Sequence, residues 1–162
     1  MPEIEQAMLH TGAVIIKKEE IDQILEQPLL ARIATTGKDM QPHVVPVWFW
    51  WDGECMYMET GLDFRKARNL RDNPKCAVIV DDTQGGLRFW GIFMQGEAEL
   101  ISEPVDWIQE MVRRIYRKYL GTEGIQAPTP QKMIHSEHVI IKFRPQKIIS
   151  WDDTKHAIAP ID

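Results

Sequence analysis

Two rhythms of apolar residues divide this chain. Between Lys18 and Glu26, Ile21, Ile24 and Leu25 fall on one face of a helix, and Pro28 stops it. The period then shortens to that of strands. "ARIATT" (Ala31 to Thr36) leads into the turn "GKDMQ". "HVVPVWFWW" (His43 to Trp51) ends at Asp52-Gly53, a hairpin signal, and "CMYMET" (Cys55 to Thr60) is the returning strand. "CAVIVDD" (Cys76 to Asp82) is apolar enough for burial on both sides. "GGLRFWGIFMQGEAELIS" follows as one long strand, with Gly91 and Gly96 marking bulges or places where something packs against backbone. "HVIIKFRPQKIISWD" supplies one or two final strands.

Two helices interrupt the strands. "DFRKARNL" has Asp63 placed as an N-cap, and the helix should run to about Asn73 before Pro74. "PVDWIQEMVRRIYRKYLG" has Pro104 suited to a first turn and Gly121 suited to a C-terminal cap. Val105, Ile108, Met111, Val112, Ile115, Tyr116 and Tyr119 form its apolar stripe. Its bases Arg113, Arg114, Arg117 and Lys118 read as a solvated face. The stretch Thr122 to Gln131 is either a lid or a loop. Six or more closely spaced, hairpin-linked strands with three accessory helices predict a mainly β fold, a closed or nearly closed antiparallel barrel rather than a doubly wound sheet. No G-x-G-x-x-G opens a helix after a strand, which disfavours a Rossmann site.

Composition narrows this picture. The 162 residues suit one domain, 1–162, and a net charge of -5 argues against a general nucleic-acid binder. The longest apolar run, Val44 to Trp51, is too short to span a bilayer. The N-terminus lacks the basic start and apolar core of a secretory signal, so a cytosolic location is expected. Cys55 and Cys76 stand without a CxxC or clustered histidines and read as reduced thiols in apolar strands.

The candidate chemistry begins at the helix after Thr60. A helix N-terminus carries partial positive charge and disfavours bases, yet Arg65 and Lys66 occupy this first turn with Arg68 behind. A bound phosphate would reverse the sign, with free N–H groups, dipole and cations converging on one anion. Alternatively the two bases bend into water or pair with Asp63 and Asp72. Nearby, strand alternation puts Trp48 and Trp50 on one face and Phe49 and Trp51 on the other. These rings, with Trp90 and Trp151, are either core or the walls of a slot for a flat aromatic ligand. His43, His135 and His138 lack a partner pattern, and Ser102, Ser136 and Ser150 lack a nucleophile elbow. An enzyme built this way would borrow its chemistry from a cofactor.

The stretch "MYMETGLDFRKARNLRDNPKCAVIV" resembles the signature of the pyridoxamine-phosphate-oxidase-like split β-barrel flavoproteins, a strand ending in Thr, then an Arg-Lys pair and a helix closed by Asn-Pro. "QGEAELISEP" and "FRPQKIISW" continue the resemblance, which covers about residues 30–151. It implies an FMN-binding split barrel acting as an oxidoreductase on a small molecule, and a homodimer with the cofactor at the subunit interface. By position, Arg65 and Lys66 would grip the FMN phosphate and Thr60 would add a hydroxyl bond. Val45, Pro46, Val47 and Trp48 would line the ring edge, and Trp90 and Trp151 would approach from other strands. The oxidase proper carries an Arg and a Lys where this chain has Val44 and Phe49, and "DDTKHAIAPID" does not supply its substrate-gripping ending. The pattern is closer to the short branch, which includes reductases using the deazaflavin coenzyme F-420. A flavin- or haem-holding stress protein is the non-enzymatic alternative.

Overall fold

The computed structural model describes residues 3–6, 15–82 and 89–152. The chain opens with β1 (Glu3–Gln6) and α1 (Lys18–Glu26), then β2 (Ala31–Thr36), β3 (Pro42–Val47), β4 (Trp50–Trp51) and β5 (Met56–Thr60). Next come α2 (Arg65–Asp72), β6 (Lys75–Asp82), β7 (Trp90–Ile101), α3 (Val105–Gly124), α4 (Pro128–Ile134) and β8 (Val139–Asp152). The beginning of the expected long strand, 85–88, and the segment after Asp152 lie outside the described residues.

All eight strands join one sheet in the order β3-β2-β6-β7-β8-β5-β4, with β1 parallel to the second half of β8. The other pairings are antiparallel. The sheet curls into a split barrel, mainly β as the strand spacing predicts, because β8 turns as it runs. Its first half, Val139 to Phe143, pairs with β5, and its second half pairs with β1. The turn is built at a bulge where Gly96 opposes Pro145 and Gln146 is left over. A β-bulge bends its strand and sharpens the twist.

Inside the curl lies the main core, with Phe49, Phe143, Ile33, Met58, Ile92, Met94 and Ile148 fully buried. The stripe of α3 packs on the far side of β5, burying Ile108, Met111, Val112, Ile115 and Tyr116 beside Tyr57 and Ile140. Val105, predicted in that stripe, is 62% exposed at the helix start. Gly121 takes the left-handed conformation expected of a cap (φ 73°), yet the chain resumes a helical turn to Gly124. The stretch expected to be lid or loop contributes the end of α3 and most of α4.

Two expectations are corrected. The run His43 to Trp51 is two strands, because Trp48 and Phe49 leave the ladder. The face assignment survives the break: Phe49 and Trp51 enter the main core while Trp48 and Trp50 pack toward α3. Lys118 is not on a solvated face; its ammonium donates to the Leu25 carbonyl (2.7 Å), and burial pulls its pKa down to about 7. Arg113 and Arg114 do face outward, sharing Glu110. Cys55 and Cys76 are both free and buried.

Gly91 and Gly96 are both close-approach positions. A Cβ on Gly91 would lie 2.1 Å from the Trp151 ring, and one on Gly96 would lie 2.1 Å from the Arg144 carbonyl oxygen. Because the second obstacle is backbone, Gly96→Ala should lower stability by about 1–3 kcal/mol, the range for overpacking. Urea unfolding checks this, and an unchanged midpoint would refute the close approach.

Candidate functional site

The last residue of β5 is Thr60, and the chain turns tightly into α2, the Phe64 N–H donating to the Gly61 carbonyl at 3.2 Å. The N-cap is Phe64, not the expected Asp63. Phe64 is the residue in extended conformation (φ -71°, ψ 146°), and its ring folds back over Gly61. Phenylalanine has no capping oxygen, so the helix head has no side-chain cap and no acid in its first turn. The first N–H groups of a helix have no partner within the helix. Here they lie beside two bases.

Side-chain amides dock α2 on the sheet. Asn69 is buried and donates to the Thr35 hydroxyl (3.0 Å), while Asn73 donates to that of Thr36 (3.2 Å). Arg65 donates through Nε to Asn69 (3.2 Å) and through a terminal nitrogen to Asp39 in the β2–β3 turn. Neither Asp63 nor Asp72 is that partner; Asp72 pairs with Lys38 at 3.3 Å. Lys66 lies with its ammonium 5.0 Å from the centre of the Phe64 ring. Burial lowers its pKa, and the Glu59 carboxylate opposes that shift. Thr60 is buried, its hydroxyl donating to the Gly61 carbonyl at 3.3 Å.

The connection from β5 to α2 thus gathers Thr60, Arg65 and Lys66. Val45, Pro46 and Val47 lie on β3, an edge of the sheet, and Trp48 just beyond it. Pro46 suits an edge because it has no N–H to offer a ladder. Trp90 and Trp151 come from β7 and β8. Trp90 is in the main core, whereas Trp151 lies on the sheet's opposite face with Ile79, Phe89, Phe93 and Ile149. The Trp151 indole nitrogen is buried and has no hydrogen-bond partner among the described residues.

A further cluster escaped the sequence pattern. His138 is buried, with Nδ1 2.9 Å from a Glu59 carboxylate oxygen and Nε2 3.0 Å from the Ser136 hydroxyl. Ser136 and His138 line a cavity of about 400 Å³ with Leu62, Ser102 and Gln109. The arrangement looks like a serine–histidine–acid triad but is wired differently. His138 Nε2 also contacts the Met133 carbonyl, and the Ser136 hydroxyl donates to that carbonyl at 2.7 Å. Acceptors at both nitrogens favour the protonated imidazole. The Glu59 hydrogen bond raises its pKa, burial opposes, and the Met133 carbonyl adds to the rise. Glu59 also accepts from the Tyr116 hydroxyl at 3.4 Å. Glu59 and His138 are 79 positions apart in sequence, beyond the reach of any local motif. No group of three metal-ligating side chains occurs among the described residues.

A curled antiparallel split barrel with an uncapped basic helix head at the end of β5 defines the class. The chain belongs to the pyridoxamine 5'-phosphate oxidase family, whose model matches residues 18–152. Among solved structures, it is similar to a conserved hypothetical protein from Mycobacterium tuberculosis, with a TM-score of 0.78 and 24% identity over 94% of this chain and 95% of that one. An F420 reductase aligns with a TM-score of 0.60 and 27% identity over 78% of this chain and 94% of that one. A haem storage protein from Vibrio cholerae has a TM-score of 0.66 and 14% identity over 82% and 93%, a likeness of fold alone. No curated protein matches the chain.

The His138–Glu59 pair generates a pH signature. Its pKa is raised above the usual 6.5, so its pairing stabilises the fold below that value. The contribution is lost as pH rises through the raised value. Urea midpoints of the parent should fall across that window. His138→Gln should be less stable at acid pH and lack the step. Parallel pH curves for the two proteins would refute the charged pair.

Proposed function

We propose that the protein binds FMN and works as an oxidoreductase, passing hydride or electrons to a small molecule. The observation that carries this reading is the α2 head, where an uncapped helix N-terminus without acids adjoins Arg65 and Lys66. Each misplaced base costs a few tenths to about 1 kcal/mol at a bare helix end, and a phosphate turns that cost into attraction. Only two of Arg65's five donors are engaged by Asn69 and Asp39. Lys66 supplies a partly desolvated point charge, and Thr60 brings its hydroxyl to the same connection. The Val45–Trp48 backbone, at a sheet edge, lines the ring. When bound, the flavin supplies hydride acceptance and donation at its N5; the protein binds and orients it.

The second reading keeps the fold and exchanges FMN for the deazaflavin coenzyme F-420. The likeness to an F420 reductase supports it, as do Arg68 and Arg71, further bases along α2 for an acidic tail. A homodimer with cofactor at the subunit interface accompanies either reading. The half-buried apolar groups Ile79, Phe93 and Ile149, around a Trp151 nitrogen that has no partner among the described residues, suit a face covered by a second copy. No helix among the described residues is long and apolar enough to cross a membrane.

The visible spectrum of the purified protein separates the two cofactors, and titration with each measures the grip. The double variant Arg65→Ala, Lys66→Ala should weaken binding of the phosphorylated cofactor about 100-fold, two charge-assisted contacts of roughly 1.5 kcal/mol each at the low end of their range. Parental affinity in that variant would end the phosphate-site reading.

A further inference from the structure

The break between β3 and β4 creates a backbone problem. Trp48 and Phe49 leave the ladder, so the Phe49 N–H needs a partner from elsewhere, and a buried one cannot be left unmet. The partner comes from α3. The Phe49 N–H donates to the Tyr119 hydroxyl oxygen at 3.2 Å, and the same hydroxyl donates to the Leu29 carbonyl at 2.6 Å. One hydroxyl therefore joins the break to the connection between α1 and β2. Burial pushes the Tyr119 pKa up to about 12, which keeps the donating proton in place.

The ring of Tyr119 does as much as its hydroxyl. It stacks on Trp48 with centroids 4.6 Å apart and planes 4° from parallel. Tyr116, one turn back on α3, meets the same indole edge-on at 5.5 Å and 86°. Lys118 places its ammonium 3.5 Å from the centre of the Phe49 ring while donating to the Leu25 carbonyl. Adjacent residues of one helix thus pin both members of the break and two carbonyls of the preceding segment.

We propose that Tyr119, supported by Lys118, is the positioning residue that holds the Val45–Trp48 backbone in register with the ring of the bound cofactor. This rests on the reading that the Val45–Trp48 segment lines that ring. Tyr119 acts through Trp48 and Phe49. The last residues of an edge strand have neighbours on one side only. Beyond Val47, where even that pairing stops, a fixed geometry has to come from outside the sheet. A positioned backbone raises ligand affinity by removing the ordering that binding would otherwise require.

The test separates ring from phosphate. Riboflavin and the phosphate-free deazaflavin riboside probe the ring slot, and inorganic phosphate probes the helix head. Each is titrated into the parent, Tyr119→Phe and Lys118→Met, with amide exchange at Phe49 followed in all three. Tyr119→Phe keeps the stack on Trp48 and deletes only the hydroxyl. It should weaken whichever ring probe the parent binds by about fivefold to tenfold, leave phosphate affinity unchanged and speed exchange at Phe49. Lys118→Met should weaken ring binding in the same direction. Unchanged ring affinity in both variants overturns the proposal, as does a parent that binds neither ring probe. Equal loss of ring and phosphate binding also overturns it, because that is general loosening. A parent that binds a ring probe in a Tyr119-dependent way but does not bind phosphate supports the positioning role and removes only the phosphate reading.

Discussion

The contact on which the architecture turns is backbone against backbone at Gly96. Two strands as long as β7 and β8 would by themselves form an extended ribbon. The extra residue Gln146 and the absence of a side chain at Gly96 let β8 bend across its partner instead. One half of β8 then serves β5 and the other half β1. This bend closes the apolar inner faces around Phe143, Met94 and Ile148, supplying most of the driving force for folding. It also bounds β5 at its start, since Met56 opposes Phe143 just before the bulge while Thr60 opposes Val139 at the other end of the pairing.

That helix head is an electrostatic compromise. Its dipole, its uncapped N–H groups, Arg65 and Lys66 all contribute positive potential, and no first-turn acid cancels it. Asp39 takes part of Arg65, and Glu59 opposes the desolvation of Lys66. Glu59 is itself shared with His138 on its other side. One carboxylate thus serves both Lys66 and His138, beside the uncapped backbone donors of the helix head. An anion with several acceptor oxygens complements such a surface better than water does, because the donors are fixed before it arrives.

Much of the fold was legible because it follows from local pattern. The bounds of α1 and β2, the Asp52-Gly53 hairpin and the roles of Gly91 and Gly96 were all readable from spacing and turn chemistry. The break at Trp48 was not, since nothing in "PVWFWW" announces it. The Phe49 N–H that the break frees is met by the hydroxyl of Tyr119, 70 positions away. Lys118 was misread for a related reason. It lies on the polar side of the α3 pattern, but its long stem carries the ammonium under α1, where a carbonyl and an aromatic face receive it. The α2 cap was missed because a short acidic residue is the better capper in general. Here the Phe64 ring packing over Gly61 moved the start by one residue. Of the site, the grouping of Thr60, Arg65 and Lys66 was visible as one continuous stretch, whereas the Glu59–His138 pair requires the pairing of β5 with β8.

The Glu59–His138–Ser136 cluster bears directly on what kind of chemistry this protein can perform. A general base for a serine needs a neutral imidazole with one nitrogen free to accept the hydroxyl proton. His138 meets an acceptor at each nitrogen, and Ser136 directs its proton to the Met133 carbonyl rather than to the ring. Removing a proton from His138 would cost it one of those bonds, so the environment opposes the state that catalysis would require. The resemblance to a triad is therefore one of proximity and not of function. The two thiols do not replace it, since burial pushes Cys76 up to about 12 and also raises Cys55, away from the thiolate. The described side chains thus provide a phosphate-suited helix head and an edge strand held from outside. Neither the Glu59–His138–Ser136 cluster nor the two thiols offers an activated nucleophile among the described residues.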